Sequence, residues 1–102
     1  MNIKMENTVT EIERRLTIAL EPSFISIKDD SQAHKNHAQA RLSGGGHFNL
    51  TIVSKHFEGK QPVARHRLVY NALEGMIGPD IHALQINAKT PEESETGLKG
   101  NG

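Results

Sequence analysis

Six histidines and no cysteine are the chemically most distinctive feature of this 102-residue chain. Histidine is a common metal ligand and titrates near physiological pH, so the spacing of these residues is informative. His34 and His37 lie three residues apart in a polar stretch, and His82 stands at the head of the run "HALQI". The chain lacks a carboxylate triad, an H-x-x-x-H helix and cysteine partners, so these histidines alone are only a weak indication of a metal site.

The positions of His66 and His82, taken from periodicity alone, favour structural roles. His66 lies three residues before Val69 and seven before Leu73, in phase with the apolar stripe of a predicted helix. We therefore expect a partly buried imidazole whose hydrogen bond fixes that helix, in preference to a ligand. His82 shares strand parity with Leu84 and Ile86, which predicts a residue at the border of the core.

The spacing of the apolar residues predicts the helices and strands that position these histidines. Val9, Ile12, Leu16 and Leu20 fall at helical spacing after Thr8, a candidate N-cap, and Pro22 ends the helix. Strands are predicted at 24–28, 48–53 and 81–88, and residues 29–46 form a long polar loop. A second helix carries an apolar stripe from residue 69 to residue 77, and the glycine and proline at 78–79 end it.

This order, α–β–β–(turn)–α–β, predicts an α+β domain with a three-stranded mixed sheet. The first two strands can pair as an antiparallel hairpin, whereas the helix between the second and third strands permits parallel pairing through a right-handed crossover. The helices would then pack on one face of the sheet, as in KH-like domains. We expect a flexible N-terminus at 1–7, one domain at 8–90 and a disordered polar tail at 91–102.

Several function classes find no support in the sequence. The formal net charge is zero, no stretch is long and apolar enough to span a membrane, and the absence of cysteine excludes disulfides and thiol catalysis by this chain. No nucleophile elbow is present, and "GGG" at 44–46 precedes a strand, so it is not a phosphate loop. We expect a non-enzymatic, soluble protein without membrane association, in the cytoplasm or in an organelle matrix.

The chain is locally basic between residues 28 and 67. Seven basic residues occur there against three acidic ones, namely Lys28, Lys35, Arg41, Lys55, Lys60, Arg65 and Arg67 against Asp29, Asp30 and Glu58. Such an excess is typical of a solvated face, and it would also suit a partner with an acidic surface.

The segment from His47 to Pro91 closely resembles the BolA family. The resemblance rests on several motifs at matching spacing: the F-x-G of Phe57 and Gly59, the R-H-R around His66, the H-A-L that begins at His82, and the closing Thr90-Pro91. It extends more loosely through the first helix to "DDSQAH". The resemblance implies a class II KH-like fold with a helix-turn-helix-like element.

BolA-like proteins pair with monothiol glutaredoxins, and the heterodimer can hold a [2Fe–2S] cluster. The resemblance implies that glutaredoxin and glutathione supply thiolates and that His82 supplies an imidazole, with no cofactor on this chain alone. A second ligand is implied from the loop between the first two strands, at His34 or alternatively at His37. Imidazole in place of thiolate raises the potential of such a cluster and can leave on protonation, which suits a carrier or a sensor.

Some BolA proteins also act as transcriptional regulators. The resemblance then implies that the R-H-R helix and its preceding turn approach DNA, through Lys55, Lys60, Arg65, His66 and Arg67. The neutral overall charge argues against tight autonomous binding of DNA.

Overall fold

The computed structural model describes the backbone of residues 3–30 and 46–100, and the side chains of residues 8–30 and 46–95. His34 and His37 therefore lie outside the described residues. The described elements, in chain order, are α1 (Ile3–Leu20), β1 (Phe24–Asp29), β2 (His47–Val53), a 3-10 helix (Lys55–Phe57), α2 (Pro62–Ala72), β3 (Ala83–Lys89) and α3 (Pro91–Gly100).

The three strands form one mixed sheet with the order β1-β2-β3. β1 pairs antiparallel with β2, so that Phe24 lies opposite Val53, and β2 pairs parallel with β3, so that His47 lies opposite Ala83. The parallel pair is possible because α2 carries the chain back across the sheet. The predicted α+β class and sheet topology are confirmed.

The core lies between the helices and one face of the sheet. Strand alternation buries Phe48, Leu50 and Ile52 of β2, whereas Asn49 and Thr51 point to the other face and remain half-buried. The helices contribute residues at i, i+4 spacing to this core, namely Ile12, Leu16 and Leu20 of α1, together with Val69 of α2 and Leu73 directly after it. This packing fixes the sheet, and with it the ends of the strands.

The first helix begins earlier than its sequence predicts. α1 starts at Ile3, so Thr8 lies within the helix and is buried there, and the prediction of an N-cap at Thr8 is wrong. The flexible segment expected at 1–7 is helical from Ile3 onward. The residues concerned include Lys4, Met5 and Glu6, whose types are good helix formers.

The second helix ends earlier than predicted. α2 stops at Ala72, and the chain then turns through Gly75, whose φ of +90° is in the left-handed region. Met76 is still buried, and Ile77 forms an isolated bridge with Ile81. The apolar spacing therefore continues through a segment that is not helical, in which both Gly75 and Gly78 have a positive φ.

The segment after β3 contains a helix, α3, over Pro91–Gly100, where the sequence analysis predicts a disordered tail at 91–102; residues 101 and 102 lie outside the described residues. Thr90 and Glu93 form a reciprocal capping box: Glu93 N–H donates to Thr90 Oγ1 at 3.0 Å, and Thr90 N–H donates to Glu93 Oε1 at 3.0 Å. Pro91 occupies the first helical position, where its missing N–H costs nothing. These local interactions start α3.

Candidate functional site

His82 lies at the junction between a tight turn and the head of β3. Its backbone N–H donates to the Gly46 carbonyl at 2.8 Å, and the N–H of Ala83 donates to the same oxygen at 3.1 Å. On the other side, the N–H of Ile81 donates to the Met76 carbonyl at 2.9 Å, and the Ile81 side chain is buried. The backbone around His82 is therefore held from both directions.

The His82 side chain is exposed. The predicted border position is not observed, because β3 starts only at Ala83 and its alternation does not extend back to residue 82. Ile81 takes the buried position instead. Among the residues that the structure describes, none forms a hydrogen bond with the His82 imidazole. Both ring nitrogens are thus available for a ligand, and the backbone that carries the ring is hydrogen-bonded to neighbouring segments.

A shallow cavity of about 460 Å³ begins beside His82. Its lining comes from the heads of β2 and β3 and from the end of β1, and comprises Asp30, His47, Phe48, Ala83, Leu84 and Gln85. His47 is half-buried and lies opposite Ala83 in the parallel ladder. His47 is not among the predicted site residues. The sequence feature that could have pointed to it is its position at the start of a predicted strand.

The described residues that flank the segment 31–45, namely Asp30 and Gly46, lie at the same end of the sheet. Asp29 at the end of β1 lies opposite Phe48, and His47 lies opposite Ala83, the neighbour of His82. Gly46, the described residue that follows the segment containing His34 and His37, therefore contacts His82, whereas the residues that precede this segment lie at β1, on the far side of β2 from β3. Within the described residues, no three histidine or acidic side chains form a group that could hold a metal ion.

Arg65 is the basic residue whose partners are best defined. Its guanidinium donates to the carbonyls of Lys60 at 2.8 Å and Ala88 at 3.1 Å, and to both carboxylate oxygens of Glu93 at 2.6 and 3.0 Å. The Arg65 guanidinium, together with the Thr90 N–H, lowers the pKa of Glu93 to about 2. Arg65 thus joins α2 to β3 and α3, and its side chain is only 14% exposed.

His66 does not have the position expected of it. It is exposed on α2, so the predicted partly buried imidazole is wrong. Arg65 lies four residues before Val69 and eight before Leu73, and it is this neighbour that faces inward and fixes the helix. The other predicted basic contacts, Lys55, Lys60 and Arg67, are exposed.

His56 is the exposed histidine of the 3-10 helix, and it has a different environment from His82. Its Nε2 lies 3.1 Å from Glu21 Oε1, and its side chain is 47% exposed. His56 therefore has a carboxylate partner on the protein itself. This contrast makes His56 a suitable reference for experiments on His82.

Comparison with known proteins extends the resemblance found in the motifs. Residues 16–93 match the family model described as "BolA-like protein". The chain belongs to the BolA-like family. None of the helices in the described part is long and apolar enough to cross a membrane.

Three relatives show how this BolA-like chain compares with others. It is 44% identical over 92 residues to "Protein BOLA1, chloroplastic" of Arabidopsis thaliana, covering 88% of this chain and 58% of that protein. It is 37% identical over 82 residues to the "DNA-binding transcriptional regulator BolA" of Vibrio cholerae, covering 80% and 74%. The solved BolA domain of SufE1 from Arabidopsis thaliana superposes with a TM-score of 0.70 at 41% identity, covering 82% and 92%.

The chain spans little more than half of the length of the chloroplast relative. BolA domains therefore occur within longer proteins, as they do in the SufE-like protein.

Proposed function

We propose that this BolA-like protein is a non-enzymatic partner of a monothiol glutaredoxin and helps to bind or transfer a [2Fe–2S] cluster. The observation that carries the proposal is the exposed imidazole of His82 on an anchored backbone. It stands at the sheet end where the loop bearing His34 and His37 begins and ends.

The chemistry of the chain fits a shared site. The chain contains no cysteine, so soft thiolate ligands would come from glutaredoxin and glutathione. His82 would supply one neutral nitrogen to iron, and His34 or His37 would supply a second from the loop. A cluster held partly by imidazole would be released when these ligands protonate, which suits transfer to an acceptor.

Reconstitution tests this proposal directly. The apoprotein is mixed with a monothiol glutaredoxin, glutathione, iron and sulfide, and the cluster is followed by visible absorption and circular dichroism. His82→Ala should change the spectrum and weaken cluster retention, whereas His56→Ala should leave both at wild-type values. The two variants remove the same exposed side-chain type, and only His82 belongs to the proposed site.

The outcomes separate the parts of the proposal. If no heterodimer forms with or without the cluster, the partnership is wrong. If the heterodimer forms but His82→Ala retains the wild-type spectrum, the assignment of the ligand is wrong. His34→Ala and His37→Ala, examined in parallel, identify the loop ligand as the variant whose spectrum changes.

DNA binding is the second candidate function. Lys60, His66 and Arg67 are exposed on α2 and its preceding turn, and the Vibrio cholerae relative is named as a DNA-binding regulator. Lys55 lies on the adjacent 3-10 helix, whereas Arg65 is held by Glu93 and is a poor candidate for phosphate contact. A mobility shift at several salt concentrations, with Lys60→Ala and Arg67→Ala, tests this function. Binding that is insensitive to salt and to both substitutions would exclude it.

A further inference from the structure

Gly46 is the last residue before β2 and is buried against the turn that precedes β3. Its carbonyl accepts hydrogen bonds from His82 N–H and Ala83 N–H at 2.8 and 3.1 Å. Its φ is +81°, in the left-handed region that glycine adopts readily and other residues adopt at a cost. Gly46 therefore joins the end of the loop to the head of β3.

A side chain at position 46 would crowd the His82 segment, which would have to shift by a few tenths of an ångström. A Cβ built on Gly46 would lie 3.0 Å from the Asp80 carbonyl oxygen, 3.2 Å from the His82 backbone nitrogen and 3.2 Å from Cγ of the His82 ring. Two of these neighbours are backbone atoms, and rotating a side chain cannot move a Cβ. The imidazole or the turn would have to shift to make room.

We propose that Gly46 is a positioning residue for the His82 imidazole, and this inference rests on the function proposed above. Gly46 supports one side of the ring with bare backbone, while its carbonyl fixes the two N–H groups beside it. The ring orientation, and so the direction in which its nitrogens meet iron, depends on the absence of a side chain at position 46. Residues that orient a metal ligand commonly change metal affinity by about 10- to 100-fold when they are substituted.

The chain contains a matched control for backbone strain. Gly59 has a φ of +75°, close to that of Gly46, yet a Cβ built there would meet no atom within 4 Å. Gly46→Ala and Gly59→Ala therefore introduce similar conformational strain, but only the first introduces a contact with His82. A difference between the two variants reports on the contact and not on the loss of glycine.

The first test uses the free protein and its NMR spectra. In the wild type we expect a nuclear Overhauser effect between an Hα proton of Gly46 and the His82 ring. Its absence would overturn the proposal, even if Gly46→Ala does not fold. In Gly46→Ala we expect the ring resonances of His82 and the amide of Ala83 to shift, while Gly59→Ala leaves both at wild-type positions.

The second test uses the heterodimer reconstituted with glutaredoxin, glutathione, iron and sulfide. Transfer of the cluster to a chelator should be about tenfold faster for Gly46→Ala than for the wild type and within about twofold for Gly59→Ala. If His82→Ala alters the cluster while Gly46→Ala behaves like Gly59→Ala, the positioning role is wrong and the ligand stands. If His82→Ala also leaves the cluster unchanged, the proposed function itself fails.

Discussion

His82 and Arg65 are both polar residues of motifs in the sequence, and their environments are opposite. Around His82 the backbone N–H groups of residues 81–83 donate hydrogen bonds to the carbonyls of Met76 and Gly46. The imidazole itself is exposed and has no hydrogen-bond partner among the described residues. At Arg65 the guanidinium itself makes four hydrogen bonds within the protein. A side chain whose bonds are all internal stabilises the fold, whereas a free side chain on a fixed backbone is suited to binding.

The largest effect expected from this comparison is at His82. We expect His82→Ala to weaken retention of the cluster in the glutaredoxin heterodimer by at least about 100-fold, because it removes a ligand and not merely a supporting contact. The free energy of unfolding of the free protein should change by less than about 0.5 kcal/mol, since the side chain is exposed. Cluster transfer kinetics and urea unfolding measure the two quantities. A large loss of stability would show that the imidazole has a structural role after all.

Arg65 should show the reverse pattern. Arg65→Ala removes the guanidinium that donates to the Lys60 and Ala88 carbonyls and to the Glu93 carboxylate, so we expect a loss of about 2 kcal/mol in the free energy of unfolding. Arg67→Ala, the exposed arginine two residues later, is the matched control and should change stability by less than about 0.5 kcal/mol. Equal stability of the two variants in urea would contradict the role assigned to Arg65.

The capping box at the start of α3 supports the same region. Thr90→Ala removes the hydroxyl that accepts the Glu93 N–H, and we expect a loss of about 1 kcal/mol. Thr90→Ser retains the acceptor and should recover most of that stability, as measured by urea unfolding. A loss in the serine variant as large as that in the alanine variant would assign the effect to the buried methyl group instead of the cap.

The smallest effect concerns the pH dependence of the Arg65–Glu93 pair. Because the pKa of Glu93 is lowered from 4.5 to about 2 in the folded protein, its contribution is complete above about pH 4.5 and is lost as the pH falls toward 2. Since the Glu93 side chain is 49% exposed, we expect this contribution to be at most about 1 kcal/mol. The difference in unfolding free energy between wild type and Glu93→Gln should therefore shrink between pH 4.5 and pH 2. A difference that stays constant over this range would contradict the ion pair.

Much of the fold could be predicted from local patterns. Alternation in β2 and the helical connection to β3 were sufficient for the sheet topology, because burial on one face requires a period of two and a parallel pair requires a crossover. The end of α2 was missed because Met76 continues the apolar spacing after the helix has stopped. The capping box of Thr90 and Glu93 was readable in "TPEE", and the polar composition of the tail obscured it.

For the candidate site as well, the sequence determined one part and the tertiary structure determined the rest. The sequence by itself determined that the chain can offer imidazole but no thiolate, and its H-A-L motif singled out His82. Only the tertiary structure decided that His82 is exposed, that Gly46 lies against its ring, and that Arg65 rather than His66 faces inward. These features depend on contacts between residues far apart in the chain, such as Gly46 with His82 and Arg65 with Glu93. Local periodicity specifies which face of an element is apolar, but it does not specify which distant backbone or side chain meets a given residue.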